Sequence, residues 1–316
     1  MIVSQVVAPR RSELHEVPTP EPAPDEVIVR VDASGVCSSE LHAWVSGPRS
    51  TPMCLGHEAV GTVQNVGERV ERWRPGDIVT GLMSQAFTQL VTAREDHLLR
   101  APAGVQAESA LGEPIGCLVN AARRTSIQLG DRIAIVGLGY MGLGMLELCR
   151  LTGPSFLMGI DVRPEALELA RELGADAVRE PAEIAEADLD GRDHPEHGFD
   201  VVIEATGTQP GLDLAGRLVR QHGVLSIVGY HQGAARTVDM ESWNFKAIDV
   251  INAHVRRTAD RMESMKIGLD LVSAGRLDFG RLVTHRYGLD EVDTAFADLE
   301  AKPPGFVKAV VIPNAT

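Results

Sequence analysis

"DRIAIVGLGYMGLGMLELCR", residues 131–150, is the stretch on which the reading of this chain turns. Residues 132–136 form an apolar run suited to a buried strand, and residues 141–150 read as an apolar helix. Between them, Gly137-Leu138-Gly139-Tyr140-Met141-Gly142 spells G-x-G-x-x-G. The pattern is weak alone, but between a strand and a helix it has the context its chemistry requires. Gly137 permits the tight turn, Gly139 lets a pyrophosphate approach the backbone, and Gly142 lets the helix pack close to the strand. Tyr140 and Met141 stand at the helix start, whose free N–H groups face the phosphates. Asp161 ends the next strand, "FLMGIDV", about twenty residues on, where a carboxylate accepts both ribose hydroxyls. That carboxylate repels a 2′-phosphate and so favours NAD. Arg163, following closely, leaves an NADP reading open.

The texture around this turn extends the same fold. "RPEALELARELGA" is a second helix, and "FDVVIEATG" and "GVLSIVGY" are later strands. Strands alternating with helices predict a doubly wound parallel sheet, a Rossmann domain over residues 119–283. Residues 1–118 differ. "DEVIVRVDASGV", "GHEAVGTVQNVGERV" and "RPGDIVTGL" are short, glycine-bounded strands that predict a β-rich domain. The tail 284–316 ends in the strand-like "FVKAVVI", expected to rejoin that first domain. Residues 180–198, acidic and turn-rich, read as a solvated connection.

Composition narrows the function classes. A net charge of -14 over 316 residues argues against a nucleic-acid groove or an anionic membrane surface, both of which need clustered Lys and Arg. No window is long and apolar enough for a membrane span, and the N-terminus reads directly as a strand. Four scattered cysteines do not make a disulfide scaffold, so a reduced, cytoplasmic protein is expected.

One of those cysteines keeps unusual company. "GVCSSELHAWVSG" places Cys37 beside two hydroxyls, a carboxylate and His42, and a thiolate needs such electropositive or metal-bearing surroundings. "CLGHEAVG" then sets His57 beside Glu58, and "GEPIGCLVNAARR" adds Glu113 and Cys117. Cys, His and a carboxylate or second Cys, with one position open, is the donor set of a catalytic zinc.

With these motifs in hand, the chain resembles the zinc-dependent medium-chain dehydrogenases of the alcohol and polyol kind. "GVCSSELH" is similar to that family's first-ligand motif and "GHEAVGTVQNVGERV" to its second. "RPGDIV" and the glycine turn follow in family order, and "LVTHRY" resembles the polyol branch. The resemblance spans essentially the whole chain and implies a GroES-like catalytic domain before the Rossmann domain. It makes Cys37 and His57 zinc ligands, with Glu58 a ligand or a carboxylate beside the metal. Ser39 matches the hydroxyl that relays the substrate proton, and His42 the histidine that passes it to solvent. Glu113, as in polyol members, and Cys117, as in alcohol members, compete for the third protein ligand; "HAW" and "LVTHRY" lean toward Glu113. The family's lobe of four closely spaced cysteines, which holds a structural zinc, has no counterpart in "GDIVTGLMSQAFTQLVTA". The implied activity is hydride transfer between NAD and a secondary alcohol: a polyol, sugar, cyclitol or amino-alcohol. A homo-oligomer, dimer or tetramer, is implied too. A metal-free quinone or enoyl reductase of the same fold, or a non-catalytic nucleotide-binding protein, are the competing readings.

Other candidates read as structural. Cys54 and Cys149 are packing thiols. His194, His197 and His222 lie in polar connections, and His285 caps or packs. Asn252 and His254 are substrate-pocket candidates by resemblance.

Overall fold

The computed structural model describes residues 1–185, 188–189 and 197–314. Residues 186–187 and 190–196 of the acidic connection, His194 among them, lie outside the described residues. The chain forms two compact units, Met1–Cys117 with Arg257–Thr316, and Leu118–Arg256.

In chain order, the first part carries β1 (Ile2–Ala8), β2 (Arg11–Glu16), β3 (Glu26–Gly35), α1 (Leu41–Ser46), β4 (Glu58–Val66), β5 (Ile78–Gly81), β6 (Leu90–Arg94), β7 (Leu98–Arg100) and α2 (Gly112–Thr125). The middle part carries β8 (Arg132–Val136), α3 (Tyr140–Arg150), β9 (Phe156–Ile160), α4 (Pro164–Glu172), β10 (Ala177–Arg179), β11 (Phe199–Glu204), α5 (Gln209–Leu218), β12 (Val219–Ile227), α6 (Met240–Lys246) and β13 (Asp249–Asn252). The chain closes with α7 (Thr258–Ser273), β14 (Val283–Gly288), α8 (Val292–Ala301) and β15 (Lys308–Ile312).

The second unit is a six-stranded parallel sheet in the order β10-β9-β8-β11-β12-β13. Strands such as "RIAIV" are buried on both faces, as parallel strands covered by helices must be. The order reverses between β8 and β11, the point at which such sheets take ligands at their carboxyl ends.

The first unit is built on a seven-stranded, mostly antiparallel sheet, and β1 and β2 form a separate hairpin. β15 does rejoin this unit, antiparallel to β3 and with Val310 opposite Gly35. The return comes at Arg257, however, not at 284 as the sequence reading has it. α7 packs on the start of α2: a Cβ on Gly116 would stand 2.4 Å from Met265 Cγ, and Arg261 pairs with Glu113 at 2.8 Å. Trp44 of "HAW" is buried, stacked on Phe296 with ring centroids 5.5 Å apart, and its Nε1 donates to Asp293. It is a core residue of this unit. No helix among the described residues is long and apolar enough to cross a membrane.

Candidate metal centre and dinucleotide turn

Cys37 follows β3 and opens a 3-10 turn, Ser38–Glu40. β3 and β4 pair antiparallel with Gly35 opposite Glu58, which carries the end of one strand to the start of the other. A Cβ on Gly35 would stand 2.0 Å from Glu58 Oε2, so only glycine leaves room for that carboxylate. The Cys37 thiol, the His57 imidazole and the Glu58 carboxylate offer ligand atoms that all lie within 4.8 Å of one another.

Two further groups hold this cluster. Glu40 Oε1 lies 3.0 Å from His57 Nδ1 and accepts the Gly56 amide at 2.8 Å. A carboxylate on Nδ1 orients the ring and leaves Nε2 as the nitrogen available to a metal. Burial would lower the His57 pKa, but hydrogen bonds to Cys37 and Glu40 outweigh it and raise it to about 12. On the other side, Lys308 Nζ meets Glu58 Oε2 at 2.5 Å and donates to Val36 O at 3.1 Å. Burial pushes the Glu58 pKa up, yet the charges of Lys308 and His57 hold it below the usual carboxylate value. Burial likewise works to lower Lys308, and Glu58 raises it. The pair therefore stays ionised although both side chains are almost fully buried.

Glu113 lies in the first turn of α2 and Cys117 one turn later. The Cys117 thiol donates to Glu113 Oε1 at 3.6 Å, and Arg261 Nη2 donates to the same oxygen at 2.8 Å. Burial first, then the charge of Glu113, raises the Cys117 pKa well above its ordinary value. Among the described residues the converged ligand set is Cys37, His57 and Glu58, without Glu113 or Cys117. Ser39 Oγ donates to Cys37 Sγ at 3.2 Å, while His42 is exposed on α1 with its Nε2 3.5 Å from Ser46 Oγ.

The donors fit the metal that the resemblance implies. Thiol, imidazole and carboxylate together are a zinc set. Glu58 Oε2 is buried with no well-directed hydrogen bond; its contact with Lys308 is an ion contact.

In the other unit, a glycine turn links β8 to α3. Gly137 has φ 94°, and a Cβ on Gly142 would strike Gly137 O at 1.8 Å. Gly139 caps α3, and a Cβ placed on it would meet nothing within 4 Å, an open approach for a phosphate beside the helix start at Tyr140 and Met141. Asp161 follows β9; its Oδ2 accepts the Leu138 amide at 2.7 Å. Arg163 folds back on it, with Nε 3.1 Å and the amide 2.9 Å from Oδ1. Burial raises the Asp161 pKa, but the Arg163 hydrogen bond outweighs it and holds the carboxyl below its usual value. Asn252 ends β13. His254 Nε2 lies 3.3 Å from Gly229 O, and burial lowers its pKa, which keeps the ring neutral.

Cys54, Cys149 and His285 pack. Cys54 Sγ lies 3.2 Å from Gln85 O, and burial pushes its pKa, like that of Cys149, up to about 12. His285 packs on Phe306 with centroids 4.8 Å apart. His222 is exposed, and His197 is half-buried.

Sequence reasoning assigned no role to Glu40, Lys308 or Arg261. The signal for Lys308 was present, since one lysine interrupts the apolar run "FVKAVVI" and a buried charge demands a partner. Glu40 stood in the quoted "CSSELH", three residues beyond the thiol.

Comparison with known proteins gives the family. Residues 23–121 match the alcohol dehydrogenase GroES-like domain, and residues 141–273 match the zinc-binding dehydrogenase domain. The chain is 30% identical to a Mycobacterium tuberculosis protein assigned as a zinc-binding alcohol dehydrogenase, covering 89% of this chain and 80% of that one. It is 28% identical to the sorbitol dehydrogenase of Halalkalibacterium halodurans, covering 90% and 91%. A Sinorhizobium meliloti protein assigned to the zinc-binding dehydrogenases, solved with NADP bound, superposes with a TM-score of 0.86 at 25% identity, covering 99% of each chain. The chain is thus an oxidoreductase that belongs to the zinc-type medium-chain dehydrogenase family.

Proposed function

We propose that this protein interconverts a secondary alcohol and its carbonyl, with one catalytic zinc per chain and NAD as hydride acceptor. The preferred substrates are polyols, sugars, cyclitols or amino-alcohols. The observation that carries this reading is the convergence of Cys37, His57 and Glu58; the sorbitol dehydrogenase relative supports the polyol class. Cys37 and His57 would hold the metal, with Glu58 beside it and Glu113 or Cys117 completing the set. When bound, zinc supplies a Lewis acid for charge developing on the substrate oxygen, and the nicotinamide accepts the hydride. Ser39 takes the alcohol proton, and His42, exposed on α1, passes it to solvent; a histidine suits that step because its pKa lies near working pH.

Metal analysis of freshly purified protein, with reduced-nicotinamide absorbance followed over an alcohol panel, tests the reading. One zinc per chain and turnover on polyols are expected. Two tightly held zincs would overturn the single site, and activity in a zinc-free protein would favour the quinone or enoyl reductase reading.

NAD should be preferred over NADP by tenfold or more. A 2′-phosphate at Asp161 meets a buried carboxylate, and each charged hydrogen bond lost from the ribose is worth about 1.5–3 kcal/mol. Asp161 is held ionised, which supports this; Arg163 beside it is the feature that would serve NADP instead. Equal kcat/KM for both cofactors would sink the assignment, and Asp161→Ser should narrow the gap.

We infer a homo-oligomer as well. β13 ends its sheet with an edge unpaired among the described residues, and Val250, Met240 and Phe245 are exposed in the same unit. Light scattering that returns the mass of one chain at working concentration would rule it out.

A further inference from the structure

Glu204, the last residue of β11, is fully buried, and its carboxylate gathers two strand ends. Oε1 accepts the Thr206 amide at 2.7 Å and the Gly207 amide at 2.9 Å. Oε2 meets His231 Nε2 at 2.8 Å, and Arg236 Nε lies 3.0 Å from His231 Nδ1. A guanidinium N–H can only donate, so Nδ1 is the acceptor and the ring hydrogen sits on Nε2, aimed at Glu204. Arg236 Nη2 also donates to Gly207 O at 3.1 Å and Gln232 O at 3.2 Å. The chain Arg236–His231–Glu204 thereby pins residues 229–236, after β12, to residues 205–207, after β11.

The location gives this tie its meaning. β11 and β12 lie on the flank of β8 opposite β9. Residues 205–207 adjoin the glycine turn, since a Cβ on Gly137 would stand 2.7 Å from Thr206 Cγ2. A dinucleotide crosses such a sheet along its carboxyl edge. With the adenosine ribose at Asp161 after β9 and the pyrophosphate at the turn after β8, the second nucleotide has the β11–β12 flank. We propose that His231, held between Glu204 and Arg236, is a positioning residue for the nicotinamide half of the cofactor, fixing the two strand ends beneath it without touching the reacting atoms. The proposal rests on the dinucleotide reading of this unit.

The test compares wild type, His231→Leu, which neither donates nor accepts, and His231→Gln, which does both. Each is titrated calorimetrically with NADH and with ADP, which carries the adenosine and two phosphates but none of the nicotinamide half. His231→Leu leaves a buried carboxylate oxygen without its donor, so NADH affinity should fall about tenfold or more while ADP affinity stays within about twofold. His231→Gln should restore NADH binding. If His231→Leu fails to fold by circular dichroism, Arg236→Met breaks the same chain at its outer end and should give the same split. Equal weakening of NADH and ADP, unchanged NADH binding, or failure of Gln to rescue would overturn the proposal. Wild-type protein that binds neither probe would instead overturn the dinucleotide reading, and this proposal with it.

Discussion

Cys37→Ala is expected to purify folded but without stoichiometric zinc, and without alcohol oxidation. The cluster has three donors within 4.8 Å, and the thiolate supplies a bond of about 2.3 Å that neither neighbour can replace. Cys117, the other nearby thiol, is half-buried, lies outside the converged cluster and donates to Glu113, so it does not take the place of Cys37. The fold should survive, because Cys37 is only partly buried and sits in a turn, and water can replace the hydrogen bond it accepts from the half-buried Ser39 Oγ at 3.2 Å. Ser39→Ala separates metal holding from proton transfer. It should keep its zinc and slow single-turnover oxidation by about 10²–10⁴. His42→Ala should be milder, since His42 is exposed and water can take its place at the outer end. Metal analysis and single-turnover rates on one working substrate read all three variants. A Cys37→Ala protein that retains one zinc ends the ligand assignment, and a Ser39→Ala protein at wild-type speed ends the relay.

The second large effect lies behind the Cys37–His57–Glu58 cluster. Lys308→Met should destabilise the metal-free first unit by about 3–5 kcal/mol, because it strands an ionised, fully buried Glu58. At the usual scaling for a unit of this size, its melting temperature falls by roughly 6–20 °C. Removing both charges, in Glu58→Gln/Lys308→Met, should recover most of that loss, since an uncompensated charge costs far more than an absent pair. Differential scanning calorimetry in a chelating buffer measures each variant. A loss below about 1 kcal/mol for Lys308→Met would place the pair among the weak, solvent-screened contacts. That outcome would contradict its burial.

The sequence carried whatever depends on neighbouring residues. A strand, a tight glycine turn and a helix are consecutive, so the turn at Gly137, Gly139 and Gly142 was legible from spacing alone. The alternation of strand and helix likewise announced a parallel sheet, and Cys37 and the His57–Glu58 pair announced themselves by the company each keeps. Residues 257–283 were read with the Rossmann domain, whereas the first compact unit contains them and with them α7. Its contacts with the start of α2, through Met265 and Arg261, join it to that unit. Arg163 was read only as leaving NADP open, and the fold pairs it with Asp161 itself.

What only the tertiary structure decided is which distant charges meet. Lys308 reaches Val36, 272 residues away, because β15 lies antiparallel to β3 in one particular register. A shift of one residue would turn the lysine to the opposite face of the sheet and leave Glu58 alone. Glu204, His231 and Arg236 are joined in the same way, by the parallel pairing of β11 with β12. Spacing along a chain records local geometry. Sheet register is set by the packing of the whole core, so the groups that hold the Cys37–His57–Glu58 cluster and the strand ends in place became visible only when the strands were paired.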